Sequence, residues 1–266
     1  MCGVFGFIAN GDKRADMGRI RMMAEETELR GPHAFGFAWI DATGRLKRYK
    51  QQGRISDHLG LLEMAADARV LIGHCRYTTH GSEDQNINNH PHPADGGWIV
   101  HNGIYRNYRE TIERRGLHPV SECDSEVLGL TIEASQGESL LERCIEAVND
   151  VALTPLVMLG IWKPGRLVIV RRGNPLKWGQ TNRGTYIASL RPGLPKESFN
   201  LKDNTARQLD WRREGEPTFK NIDLAAITER AAPATEEAPK AKHWPKGVTR
   251  PRFEQKLFCE RGTIYE

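Results

Sequence analysis

The sequence has no apolar run approaching the 18 residues that a membrane-spanning helix needs, so no membrane association is expected. Its start lacks a basic segment followed by an apolar one, so no cleaved leader is expected. No run of five or six Lys and Arg occurs. A net charge of +4 and a pI near 8.8 give no footing for direct nucleic-acid binding. Neither a P-loop nor GxGxxG is present, and no cofactor is expected. The five cysteines (Cys2, Cys75, Cys123, Cys144, Cys259) are odd in number and form no CxxC pair. That argues against a disulfide framework and for a reducing, cytoplasmic setting.

What is present fits one globular domain with an added tail: 266 residues, 39% hydrophobic and 27% charged. The chain is organised around residues 73–108, which are dense in His, Asn and Gly. Val70-Leu71-Ile72 leads into Gly73, and Trp98-Ile99-Val100 leads into His101-Asn102-Gly103. A buried strand ending in small polar residues fixes their position while the loop leaves them accessible. Two strands joined by a polar surface loop would have the same texture.

Cys2 is the second feature. Removal of Met1, which a small second residue permits, would leave a thiol and a free α-amine on one residue. The thiolate is the reactive form. An α-amine with a reference pKa of about 7.7–8.0 can take the thiol proton, as in N-terminal Thr enzymes.

Strands are expected over 4–9, 156–162, 167–171 and 185–190, with a hairpin over 35–50. Helices are expected over 16–29, 58–68, 105–115 and 124–135, with another through Leu140, Leu141, Cys144, Ile145 and Val148. That stripe makes Cys144 a core residue. The pattern by itself says α+β. Residues from 191 change in texture, and about 231–245 reads as a linker. Residues 253–265 regain apolar character and are expected to dock back as a short element.

Six pieces of the chain, in this order and spacing, resemble the class II glutamine amidotransferases, which are N-terminal-nucleophile (Ntn) hydrolases. They are Cys2-Gly3-Val4-Phe5-Gly6, Arg30-Gly31-Pro32, residues 73–81 (GHCRYTTHG), Asn89-His90-Pro91-His92, His101-Asn102-Gly103-Ile104 with Asn107-Tyr108, and Asp124-Ser125-Glu126. The resemblance implies a glutaminase domain over 2–195, folded as a four-layer αββα sandwich, and a short irregular C-terminal extension over 196–266. It implies that Cys2 attacks the glutamine amide while its α-amine moves the proton. Asn102 (side-chain amide) and Gly103 (backbone N–H) would hold the oxyanion. Arg76 would bind the α-carboxylate and Asp124 the α-ammonium. Thr79, His80 and Gly81 would lie in the loop that closes over glutamine.

Family members join such a domain to one that consumes the ammonia. The remaining 70 or so residues are too few for that, so the acceptor is expected on a separate synthetase or modifying enzyme. The tail, with Trp211 and Trp244, would supply the docking surface. The chain departs from the family pattern at Tyr77-Thr78, where Trp-Ala is usual, and at His33-Ala34-Phe35, which lacks an Asp. Two readings compete. One is a metal hydrolase built on His74, His80, His90, His92 and His101; the other is a non-catalytic binding module in which Cys2 is dispensable.

Overall fold

The structure, a computed structural model, describes residues 2–224 except 153, 216 and 217, together with 258, 259 and 262–265. In chain order the strands are β1 (Gly3–Ala9), β2 (Ala34–Ile40), β3 (Leu46–Gln52), β4 (Val70–Arg76), β5 (His92–Ala94), β6 (Gly97–Asn102), β7 (Leu156–Trp162), β8 (Arg166–Arg172), β9 (Lys177–Thr181), β10 (Gly184–Ala188), β11 (Ser198–Asn200), β12 (Thr205–Asp210), β13 (Thr218–Asp223), β14 (Phe258–Cys259) and β15 (Gly262–Tyr265). The helices are α1 (Met17–Glu28), α2 (Tyr108–Arg115), α3 (Asp124–Ala134) and α4 (Leu140–Asp150).

All strand pairs are antiparallel. They form two sheets, ordered β11-β9-β10-β1-β4-β2-β3-β15-β14 and β13-β12-β8-β7-β6-β5. The central strands are apolar on both faces because both faces are covered. From β1, Val4 and Ile8 point between the sheets, where they meet Ile72, Val100, Val157, Leu159 and Ile169. Phe5, Phe7 and Ala9 point the other way, onto Ile20, Met23 and Ala24 of α1. On the far side of the second sheet, Leu156, Met158 and Val170 pack against Leu128, Ile132, Leu141, Cys144 and Ile145 of α3 and α4. The order is therefore helix, sheet, sheet, helix: the expected αββα sandwich.

Local chemistry sets the helix ends. Asp16 caps α1 through the Arg19 N–H, and Ser139 with Glu142 forms a capping box on α4. Two expectations are corrected. The helix expected over 58–68 is a 3-10 helix over Ile55–Ala65, broken in conformation at His58. Its start is pulled forward because the buried Glu28 carboxylate accepts the Ser56 N–H at 2.8 Å. The helix expected from 105 begins at Tyr108; in the loop before it the Tyr105 N–H donates to Asp124 (2.7 Å).

Packing continues past residue 195. β12 pairs with β8 and β13 with β12, and Leu201 and Leu209 enter the core between the sheets. β15 pairs with β3, so the chain returns to the first sheet within 253–265. Trp211 is not a free docking surface: it packs on both neighbouring cores and donates to the Gly11 carbonyl at 2.8 Å. Trp244 and the linker expected over 231–245 lie outside the described residues.

Candidate active site

Strand ends from both sheets meet at one edge of the sandwich. Register places Gly3 of β1 opposite Cys75 of β4, which brings Cys2 beside Arg76 and Tyr77. In the second sheet Asn102 at the end of β6 faces Val157, and Leu156 faces Arg172 at the end of β8. These ends surround a pocket of about 270 Å³ lined by Cys2, Tyr77, Thr79, Asn102, Gly103, Ile104, Arg106, Thr154, Pro155 and Asn174.

Cys2 is held from both sides. Its carbonyl accepts the Arg30 guanidinium at 2.8 Å, and its Sγ accepts the Tyr77 N–H at 3.3 Å. Gly31 makes this possible, because a Cβ there would lie 2.3–2.4 Å from the Arg76–Tyr77 peptide. Burial pushes the thiol above its ordinary pKa, while the Tyr77 N–H and the Arg76 charge pull it back down.

Asn102 is buried, and its Nδ2 has no partner. A buried amide donor left open at the pocket wall is available to a ligand oxygen. Gly103 follows it where no side chain fits: a Cβ would lie 2.6 Å from His101 Nε2 and 3.0 Å from the Pro155 carbonyl. Gly103→Ala is therefore expected to cost about 1–3 kcal/mol of stability, read as a lower urea midpoint at unchanged slope.

Arg76, His80 and Asp124 do not line the pocket. They form a chain behind it. The Arg76 guanidinium donates to Asn89 Oδ1 (2.7 Å), to the Gly81 carbonyl (2.9 Å) and to the His80 carbonyl. The His80 ring lies 3.8 Å from Asp124 Oδ1. Arg76 and Asp124 are both about 2% exposed. Tyr77 and His33, the two departures from the family pattern, touch each other: their rings lie 4.8 Å apart, and His33 Nδ1 accepts the Thr78 N–H at 3.1 Å.

The other histidines of the rival metal set, His74, His90, His92 and His101, are buried packing. His74 stacks on His90 at 3.8 Å, and His92 meets His90 edge-on at 4.7 Å. His74 Nε2 and His101 Nδ1 bond to the His101 carbonyl and Ser125 Oγ. His90, His92 and Cys123 offer ligand atoms within 4.8 Å of one another. Two basic side chains crowd that place. Arg76 bears on both His92 and Cys123, and Lys50 bears on His92 while donating to the Ile87 and Asn89 carbonyls. The Arg76 charge opposes a further cation there, while burial pulls the Lys50 ammonium well below its usual pKa, so the set reads as packing rather than a metal centre.

Arg106, Thr154, Pro155 and Asn174 were missed by sequence reasoning, and Ile104 was matched without a role. Their one local signal is the Thr154-Pro155 and Asn174-Pro175 steps at strand ends.

No family model matches the chain. Among curated proteins it is 33% identical over 201 residues to the glutamine–fructose-6-phosphate aminotransferase [isomerizing] of Escherichia coli K12, a match covering 71% of this chain and 32% of that protein. The enzyme of the same name from Aquifex aeolicus is 29% identical over 239 residues, covering 84% and 39%. The chain thus spans about a third of the length of the curated relatives it matches. Among solved structures, the allosteric regulatory enzyme of purine biosynthesis aligns with a TM-score of 0.67 at 19% identity, over 84% of this chain and 49% of that one. A glutamine aminotransferase class-II domain protein from Silicibacter pomeroyi aligns with a TM-score of 0.57 at 13% identity, over 84% and 99%. The αββα sandwich with a cysteine at the head of its central strand defines an Ntn hydrolase. Within that class, the chain belongs to the class II glutamine amidotransferases.

Proposed function

We propose that this protein hydrolyses the side-chain amide of glutamine through Cys2 and passes the ammonia to an acceptor outside the glutaminase domain. The observation that carries the reading is the open, buried Asn102 amide beside Gly103 on the wall of the pocket that holds Cys2. With Met1 removed, the Cys2 thiol attacks the amide carbon and its proton passes to the α-amine. The resulting oxyanion takes the Asn102 Nδ2–H and the Gly103 N–H. Donors placed where charge develops are worth about 3–4 kcal/mol each. Collapse of the intermediate expels ammonia, protonated by the same amine, and leaves a thioester that water cleaves to glutamate.

Arg76 and Asp124 supply the opposite charges that a free amino acid requires. Both are engaged behind the loop over 77–81, so glutamine reaches them as that loop shifts, and Thr79 shapes the pocket. The acceptor is an ammonia-consuming synthetase or modifying activity. The free thiols of Cys2, Cys75, Cys123 and Cys144 suit the cytoplasm.

The test uses purified protein whose intact mass shows loss of Met1. It should release glutamate and ammonia in equal amounts, and a glutamine analogue bearing a chloroketone in place of the amide should alkylate Cys2. Protein that does neither overturns the reading; labelling alone marks an enzyme that needs its partner. His33→Ala should free the Thr78 N–H and loosen the loop. It is expected to raise KM for glutamine about three- to tenfold, the worth of one hydrogen bond, with kcat nearly unchanged in steady-state assays.

A further inference from the structure

The glutaminase reading leaves Asn174 without a role, although it lines the same pocket from the far end of β8. We infer that Asn174 is a positioning residue that pins the peptide joining Asn102 to Gly103 and so aims one oxyanion donor. The inference rests on the glutaminase reading of this site. The Asn102 carbonyl and the Gly103 N–H belong to one planar unit. Among the described residues the cis peptides are His90-Pro91 and Lys163-Pro164, so this peptide is trans. Its C=O and N–H therefore point in opposite directions, and whatever fixes the oxygen fixes the line of the N–H.

Asn174 Nδ2 donates to the Asn102 oxygen at 2.9 Å and to the Pro155 oxygen at 3.2 Å. The Pro155 oxygen is also the atom that a Cβ on Gly103 would approach to 3.0 Å. The Asn174 amide thus holds the two carbonyls that flank Gly103. A hydrogen bond accepted at the carbonyl also polarises the amide and strengthens its N–H as a donor.

Asn174 is itself fixed. It is 7% exposed, its N–H donates to the Arg172 carbonyl at 3.0 Å, and its carbonyl accepts Arg171 Nε at 2.8 Å. Gly173 turns the chain with φ of 78° and donates its N–H to Asp203 at 2.7 Å. Arg172 ties the same turn to the start of β7 by donating to the carbonyls of Thr154, Val151 and Ala152. Asn174 is therefore a rigid donor rather than a mobile pocket residue.

The experiment compares Asn174→Ala and the near-isosteric Asn174→Asp with the Met-processed parent. Four quantities are read: kcat and KM for glutamine, affinity for the γ-aldehyde of glutamate, affinity for glutamate, and the rate at which iodoacetamide alkylates Cys2. The aldehyde reports the oxyanion hole. The thiol sulfur bonds to the carbonyl carbon, the C=O π pair moves to oxygen, and the thiol proton passes to the α-amine.

Both variants should lose kcat about 10- to 100-fold, somewhat less than removal of a donor outright. Aldehyde affinity should fall by the same factor, while KM, glutamate affinity and alkylation rate stay within about twofold of the parent. An active parent with variants of equal kcat and aldehyde affinity overturns the inference and leaves the glutaminase reading standing. A parallel loss of glutamate affinity and alkylation rate assigns Asn174 to general packing and also overturns it. A Met-free parent that neither turns over glutamine nor binds the aldehyde overturns both.

Discussion

Cys2→Ala is expected to lower glutamine hydrolysis by at least about four orders of magnitude, leaving only what binding and the oxyanion hole supply. The size follows from how the other thiols are placed. Cys75 and Cys144 are 1% and 0% exposed within the helix–sheet cores, and burial pushes both thiols up. Cys123 is also buried, and desolvation with the Asp124 charge pushes it up to about 12. None of these three can form a thiolate at the pocket, so none of them replaces Cys2. Burial also holds the Cys2 thiol protonated at rest, so attack needs a base at hand. Cys2→Ser keeps an attacking oxygen but a far weaker acid, and it should fall nearly as far. Ammonia release by Cys2→Ala above about one per cent of the parent rate would place the chemistry elsewhere. Peptide mapping after brief iodoacetamide treatment should find Cys2 modified ahead of Cys75, Cys123 and Cys144.

Cys2, Asn102 and Gly103 were legible in the sequence because each sits at the end of a strand apolar along its length. Such a strand announces both itself and the residues it delivers. The α+β class was legible for the same reason; the four-layer arrangement came from the resemblance, since periodicity does not say which faces meet. Asn174 and Pro155 were not legible. They lie 72 and 53 residues from Asn102, and only the register of β6 on β7 and of β7 on β8 makes them neighbours. Strands β12 and β13 were hidden by their length and polarity. In Thr205–Asp210 only Ala206 and Leu209 are apolar, too few to set a period. Trp211 looked like a surface anchor because aromatic residues in polar stretches often are. Its indole N–H instead finds the Gly11 carbonyl, 200 residues away.

Acid should unfold this protein earlier than its carboxylates alone would dictate, and the cause is the histidine cluster behind the site. His74, His90, His92 and His101 are each 0–3% exposed. Burial lowers the pKa of all four, that of His74 to about 3; in His101 the Asp124 charge offsets part of the effect. In the unfolded chain a histidine titrates near 6.5. A depressed native pKa means that the unfolded state binds more protons between those values. Stability is therefore complete above about pH 6.5 and falls as pH drops below it. Each of His74, His90 and His92 contributes a slope approaching about 1.4 kcal/mol per pH unit, so these three give about 4 kcal/mol per unit, to which His101 adds less. Against a typical total of about 5–15 kcal/mol, the fold should fail within one to three units below pH 6.5. Glu28, Asp41 and Asp203 also have lowered pKa values, but their contribution is lost only below the unfolded carboxylate range, near pH 4. The two windows therefore separate. Urea unfolding at pH 7.5, 6.5 and 5.5 should show little change over the first step and a loss of several kcal/mol over the second. A curve flat to pH 5 would mean that these rings reach solvent or take up protons in the native state. His90→Gln removes a ring with two unpartnered nitrogens and should reduce the slope by about one proton.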